Sequence, residues 1–166
     1  MIQALETAST HDELGLWADR IAVHGGSAAV EALIRLSLSQ NEPARAEVIR
    51  EALKGLSTEE DMSALVERLP QVEPPELIEA VVETLARGAR ASTLQGLARL
   101  HDGDAMPGSR RWVLAWAIER VRNPEASIAL VELTRNAQQP ELADAAIIAE
   151  ASLQIEAGSP APEVSP

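Results

Sequence analysis

The sequence contains no cysteine, no phenylalanine and no tyrosine; its only aromatic residues are three tryptophans, and one lysine stands beside thirteen arginines. Without thiols there is no disulfide scaffold, thiolate metal site, cysteine nucleophile or thiol redox chemistry. Without phenyl rings the core must be built from small aliphatic side chains, which suits close-packed helices better than a β-sheet. No stretch approaches the roughly 18 consecutive apolar residues of a membrane span. Met1 to Ser9 has neither the basic cluster nor the apolar run of a signal peptide, so the expected location is cytoplasmic. Positive charge is also scarce: 14 Lys+Arg face 26 Asp+Glu, a net charge of −12. That balance argues against membrane surfaces and against nucleic acid, because the phosphate-driven term is repulsive. The preference for arginine over lysine, with abundant alanine, points to a GC-rich bacterial source. What the chain does have is aliphatic surface, with 46% hydrophobic residues in 166. A chain of that length buries roughly 70% of its unfolded surface and needs no staple to hold a core.

An internal period organises this content. Pro43, Pro75, Pro107 and Pro140 are spaced by 32, 32 and 33 residues, and ten residues before each lies a leucine: Leu33, Leu65, Leu97 and Leu130. Similar phrases surround them, as in Leu33-Ile34-Arg35-Leu36, Leu97-Ala98-Arg99-Leu100 and Leu130-Val131-Glu132-Leu133. Each proline is expected to open a second helix, since the first helical turn tolerates a missing N–H. Apolar residues follow six and ten positions later, at Ile49 and Leu53, Val81 and Leu85, Val113 and Ala117; the fourth copy has Ala146 and then Glu150. Thr10 with Glu13 and Ser57 with Glu60 read as capping boxes, and Asn123-Pro124 as an N-cap with a proline at N1. Gly25-Gly26, Gly55 and Gly88 fall where helices should stop, and Ser27, Ser57 and Ser92 read as caps. Each repeat is therefore a helix of about 12 residues, a turn, and a helix of about 14.

Helix pairs at this period resemble HEAT-type α-solenoid repeats, and in particular the short HEAT-like repeats of bacterial proteins and phycobilisome lyases. The first full repeat carries the resemblance best, through Leu33-Ile34-Arg35-Leu36, the Asn41-Glu42-Pro43 turn and Val48 to Leu56. Tetratricopeptide repeats need Trp and Tyr positions that are not met here, and a plain helical bundle is the third alternative. The resemblance implies an all-α, right-handed HEAT-like α-solenoid of about four helix pairs plus a partial N-terminal repeat. The expected organisation is a single domain over residues 1–157, with repeats at about 1–25 (partial), 26–56, 57–88, 89–122 and 123–157. Residues 158–166, rich in proline and small residues, read as a flexible C-terminal tail.

In such a stack the second helices form one continuous face suited to an extended partner. At 100° per residue, positions four and eight after each proline point away from the core positions. The fourth positions are Glu47, Glu79, Arg111 and Asp144, and the eighth are Glu51, Glu83, Ala115 and Ile148. With Glu76, the first two repeats present a carboxylate ladder that suits a basic segment of another protein. The 57–88 repeat carries −6, and the 89–122 repeat is the only basic one at +3. That basic repeat also holds Trp112 and Trp116, in positions where other repeats have Val48, Ala52, Ala80 and Thr84; they are expected to be mostly core, with Arg111 and Arg122 the better contacts. The last helix is apolar almost all round, so Ile148 and Ile155 predict docking or homodimer pairing at the C-terminal end.

Enzymatic constellations are weak. His11, His24 and His101 lie in different repeats and make no zinc ligand set; His101-Asp102-Gly103-Asp104 lacks the remaining ligands of a calcium loop. No serine has a base nearby and no phosphate loop is evident. The expected function is a non-enzymatic interaction module without cofactor, of adaptor, chaperone or inhibitor/immunity type, binding a partner through Glu47, Glu51, Glu76, Glu79, Glu83, Arg111, Trp112, Trp116, Arg122, Ile148 and Ile155. The alternative is a HEAT-like enzyme or nucleic-acid-processing protein using the Arg- and Trp-rich third repeat.

Overall fold

Local capping sets the first helices. Thr10 Oγ1 accepts from the Glu13 amide while the Glu13 carboxylate accepts from the Thr10 amide, closing a capping box at the start of a helix over His11–His24. The chain then turns at Gly25 and Gly26, whose φ angles of 64° and 88° lie in the left-handed region that glycine enters without steric cost. The computed structural model describes residues 1–158. Within them the helices are α1 (Ile2–Thr7), α2 (His11–His24), α3 (Ser27–Ser39), α4 (Pro43–Lys54), α5 (Glu59–Arg68), α6 (Pro75–Gly88), α7 (Ala91–Asp102), α8 (Trp112–Glu119), α9 (Ser127–Asn136) and α10 (Pro140–Glu156). The described residues are 79% helical and contain no strand. Of the expected tail at 158–166, all but Gly158 lies outside the described residues.

The helices fall into two rows. Odd-numbered helices pack in the order α1, α3, α5, α7, α9, and even-numbered helices in the order α2, α4, α6, α8, α10; each odd helix also packs on the even helix that follows it. The periodic residues lie between the rows. Leu33, Leu65, Leu97 and Leu130 are fully buried, as are Ile49, Leu53, Val81, Val113, Ala117 and Ala146, with Leu85 nearly so. A single apolar cluster runs from Leu5 to Leu153. No helix of the described residues is long and apolar enough to cross a membrane.

Pro43, Pro75 and Pro140 occupy the first helical turn as expected. Pro107 does not. It precedes a 3-10 turn at Gly108–Arg110, and α8 starts only at Trp112, with 8 residues in place of about 14. Asn123 caps a 3-10 turn at Pro124–Ala126, and α9 begins after it. The capping box of α5 is Thr58 with Asp61, one residue beyond the expected Ser57 and Glu60. The three serines are not caps: Ser27 follows the Gly26 cap of α3, the Ser57 amide donates to Asp61, and Ser92 lies inside α7, where its hydroxyl donates to Glu59 at 2.6 Å. Gly25 and Gly55 follow the ends of α2 and α4. Gly88 is the last residue of α6, and a side chain there would collide with Met62.

Asp61 explains the shift of the α5 cap. Its side chain is fully buried; Oδ1 accepts from the Gly26 amide at 2.6 Å, and Oδ2 accepts from the Ser57 and Thr58 amides at 3.0 and 2.8 Å. One carboxylate thus joins the α2–α3 turn to the start of the next helix pair. Other cross-links follow the same direction. Arg45 donates to the Ala8 carbonyl at 2.9 Å, and Arg110 to the Pro70 carbonyl at 3.1 Å and to that of Val72; the buried Thr84 hydroxyl has its nearer acceptor, the Ala80 carbonyl at 2.7 Å, in its own helix, with the Leu53 carbonyl of α4 at 3.2 Å. Replacing Asp61 with alanine leaves three amides without their acceptor. It is expected to lower the unfolding free energy by about 3 kcal/mol, read as a lower urea midpoint, with Asp61→Asn intermediate because it keeps one acceptor oxygen.

Candidate functional site

The even-numbered row presents the candidate surface. In α4 and α6 the buried residues Ile49 and Leu53, or Val81 and Leu85, turn one side inward. Helical geometry then sends Glu47 and Glu51, or Glu79 and Glu83, outward, and all four are exposed. Glu47, Glu76, Glu79 and Glu83 line one hollow of about 210 Å³ between α4 and α6.

Two cations share that hollow, which the reading of every fourth residue passed over. Arg50 pairs with Glu47, with Nε donating at 3.1 Å. Lys54 bridges Glu51 at 2.6 Å and Glu83 at 3.4 Å. Glu76 and Glu79 make no ion pair among the described residues, so they hold the uncompensated negative charge. The Arg50 hydrogen bond, aided by its charge and that of Lys54, pulls the Glu47 pKa below the ordinary carboxylate value. Hydrogen bonding to Glu51, with the charges of Glu51 and Glu83, raises that of Lys54.

A second hollow of about 100 Å³ lies between α6 and α8, lined by Glu79, Glu83, Arg87, Trp116, Arg120 and Arg122. It shares Glu79 and Glu83 with the first hollow. Arg87 donates to the Lys54 carbonyl, the Arg120 guanidinium lies 5.7 Å from the Trp116 ring centre, and the Arg122 amide donates to the Ala86 carbonyl at 2.8 Å. A third hollow, of about 660 Å³, follows between α8 and α10 and shares Trp116 with the second. The even row therefore carries a continuous track, acidic at α4–α6, rich in arginine at α6–α8, and aromatic beyond.

Of the two tryptophans expected to be mostly core, Trp116 packs against the apolar cluster and Trp112 does not. Trp112 is 58% exposed and Trp116 half-buried, with ring centres 5.8 Å apart. Ala52, Thr84 and Ala149 fill the slot that corresponds to Trp116, and a slot of that size has no room for an indole. Arg111 moves the other way. It lies before α8 because of the 3-10 turn, is half-buried, and donates through Nη2 to the Gly103 carbonyl at 3.0 Å. Arg122 is exposed. On α10, Ile148 and Ile155 are exposed, and Ile147 joins them. Arg87 and Arg120 were missed because their neighbourhood is made by α6 meeting α8, which no periodicity announces. No group of three or more metal-ligating side chains occurs among the described residues.

Comparison with protein families, with curated proteins and with solved structures returns no match for this chain.

The pKa directions have a stability consequence. Glu47, lowered on folding, stabilises the native state above the ordinary carboxylate value of 4.5 and loses that contribution as pH falls through its folded value. Lys54, raised on folding, contributes below 10.5 and loses it as pH rises past its folded value. Both pairs are solvent-screened and worth at most about 0.5 kcal/mol. Glu47→Gln should lower the melting temperature slightly at neutral pH. Thermal scans across the acid range should show that gap closing as Glu47 becomes protonated.

Proposed function

We infer that the chain is a right-handed HEAT-like α-solenoid and a non-enzymatic interaction module whose even-numbered helices receive a basic segment of another protein. The observation that carries this reading is the α4–α6 hollow, where Glu76 and Glu79 stand without ion-pair partners among the described residues, beside Glu47 and Glu83. The two rows of helices and the continuous track support an extended partner. Along it, Glu47, Glu51, Glu76, Glu79 and Glu83 meet basic side chains; Arg122 and Arg111 lie toward polar or acidic ones; Trp112 and Trp116 offer apolar contact. Such a module serves as an adaptor, a chaperone or an inhibitor of immunity type in a bacterial cytoplasm, and it uses no cofactor. The rival reading, an enzyme or nucleic-acid-processing protein built on the third repeat, has less support, because Arg110 and Arg111 are spent on backbone carbonyls.

Fluorescence anisotropy with a labelled Arg/Gly-rich peptide tests the reading, with a Glu/Gly-rich peptide and a single-stranded oligonucleotide as controls. The basic peptide should bind and weaken steeply with added salt. Glu76→Lys with Glu79→Lys should cost roughly tenfold or more in affinity. Unchanged affinity in that variant, or preference for the oligonucleotide, rejects it.

The exposed Ile147, Ile148 and Ile155 support a second contact, pairing of two copies through α10. Light scattering should then show a concentration-dependent dimer that Ile148→Glu with Ile155→Glu converts to monomer; a strict monomer before substitution removes the pairing.

A further inference from the structure

Three arginines meet between α6 and α8. The Arg122 amide donates to the Ala86 carbonyl at 2.8 Å, which ties the segment after α8 to the last turn of α6 and sets Arg122 beside Arg87 and Arg120 in the hollow of about 100 Å³. All three side chains are exposed, and none makes an ion pair among the described residues. Arg87 is steadied by the Lys54 carbonyl, and Arg120 by the face of Trp116. A guanidinium held by its face keeps its edge N–H groups free. Neither Arg120 nor Arg122 uses a side-chain N–H in a hydrogen bond among the described residues, so these donors face water and are within reach of a partner's acceptor.

The other walls narrow what enters. The hollow is smaller than the roughly 300 Å³ at which small-molecule sites begin, so it suits one side-chain head group. Its two carboxylates are Glu79 and Glu83. Glu83 is already engaged by Lys54 at 3.4 Å, whereas Glu79 has no ion-pair partner among the described residues and also lines the acidic hollow between α4 and α6. A free anion therefore meets Glu79 as a like charge. Once a basic side chain covers Glu79 from the neighbouring hollow, three arginines face one carboxylate that is itself paired, and the balance turns to attraction. Packed helices lie about 8–10 Å apart, a step that an extended chain covers in about three residues. We propose that the α6–α8 hollow receives an Asp or Glu side chain of the same partner segment, about three residues from the basic side chains that meet Glu76 and Glu79, an assignment that rests on the reading of the α4–α6 hollow given above. The partner segment is then one of alternating charge, and its carboxylate takes charge-assisted hydrogen bonds from Arg120 and Arg122.

The test titrates the full chain, by fluorescence anisotropy, with labelled peptides that carry two arginines and, about three glycine-spaced residues further on, two glutamates. Both chain directions are used, each beside a counterpart with glutamine in place of glutamate. The overall charge of −12 favours the glutamine peptides, whereas the arginine hollow favours the glutamate ones. In one direction the glutamate peptide should bind at least roughly threefold more tightly than its counterpart. Arg120→Gln with Arg122→Gln should erase that difference without weakening the glutamine peptide. Arg99→Gln with Arg135→Gln removes equal charge from exposed positions on α7 and α9 and should preserve it. Equal or tighter binding of the glutamine peptide in both directions overturns the proposal and leaves the reading of the α4–α6 hollow standing. A difference that survives Arg120→Gln with Arg122→Gln overturns the assignment to this hollow. Binding of none of the peptides rejects that reading and the proposal together. If the double variant loses its helical circular dichroism, Arg122→Gln alone should narrow the difference, and an unchanged difference there overturns the proposal.

Discussion

No helix pair in this protein can bury its apolar side by itself. Leu33, Leu65 and Leu97 lie in pairs stacked between two neighbours and Leu130 in the last pair, stacked on one, and the rest of the molecule follows from that stacking. Each buried leucine is worth about 2 kcal/mol. Burial is non-directional and does not by itself set how one pair sits on the next. Directional bonds do that: Asp61 accepts from Gly26, and Arg45 and Arg110 donate to carbonyls one helix pair earlier. The Asp61 link has the strictest geometry. Gly25, at φ 64°, has no room for a side chain, since a Cβ would come within 2.8 Å of Oδ1.

The same helices that bury one side must show the other to water, and the even row shows a track of alternating character. Charge within it is partly neutralised inside the protein. Arg50 and Lys54 hold Glu47, Glu51 and Glu83, and a partner that engages those three must compete with existing pairs. Such exposed pairs are individually weak, so the competition costs little. Glu76 and Glu79 impose no such competition. The net charge of −12 thus overstates the free acidity of this face and understates its variety, because Arg87, Arg120 and Arg122 gather in the next hollow.

Where the sequence was legible, regular spacing carried the information. Prolines at a steady interval and leucines ten residues before them mark buried columns, and positions four and eight after each proline mark Glu47, Glu51, Glu79 and Glu83 as exposed. Where it was not, one residue in a turn changed the outcome. Ser57 and Thr58 can both cap a helix; Thr58 is used because Asp61, three residues on, is also the acceptor for Gly26, a residue of the preceding pair. Pro107 looks like its counterparts, yet the preceding segment of glycine and aspartate leads into a 3-10 turn, and that delay of the helix changes the roles of Arg111 and Trp112 together.

The amino-acid sequence determined an all-helical chain, its period, its leucine columns and the outward placement of the acidic ladder, because these depend on helical geometry and burial, both local in the chain. Only the tertiary structure decided which charges meet. Lys54 beside Glu83, Arg87 beside Arg120 and Arg122, and His101 lining one hollow with Trp112 and Glu141 are encounters between different helices. Their distances depend on how pairs stack, and stacking is set by packing and a few buried hydrogen bonds that no spacing along the chain records.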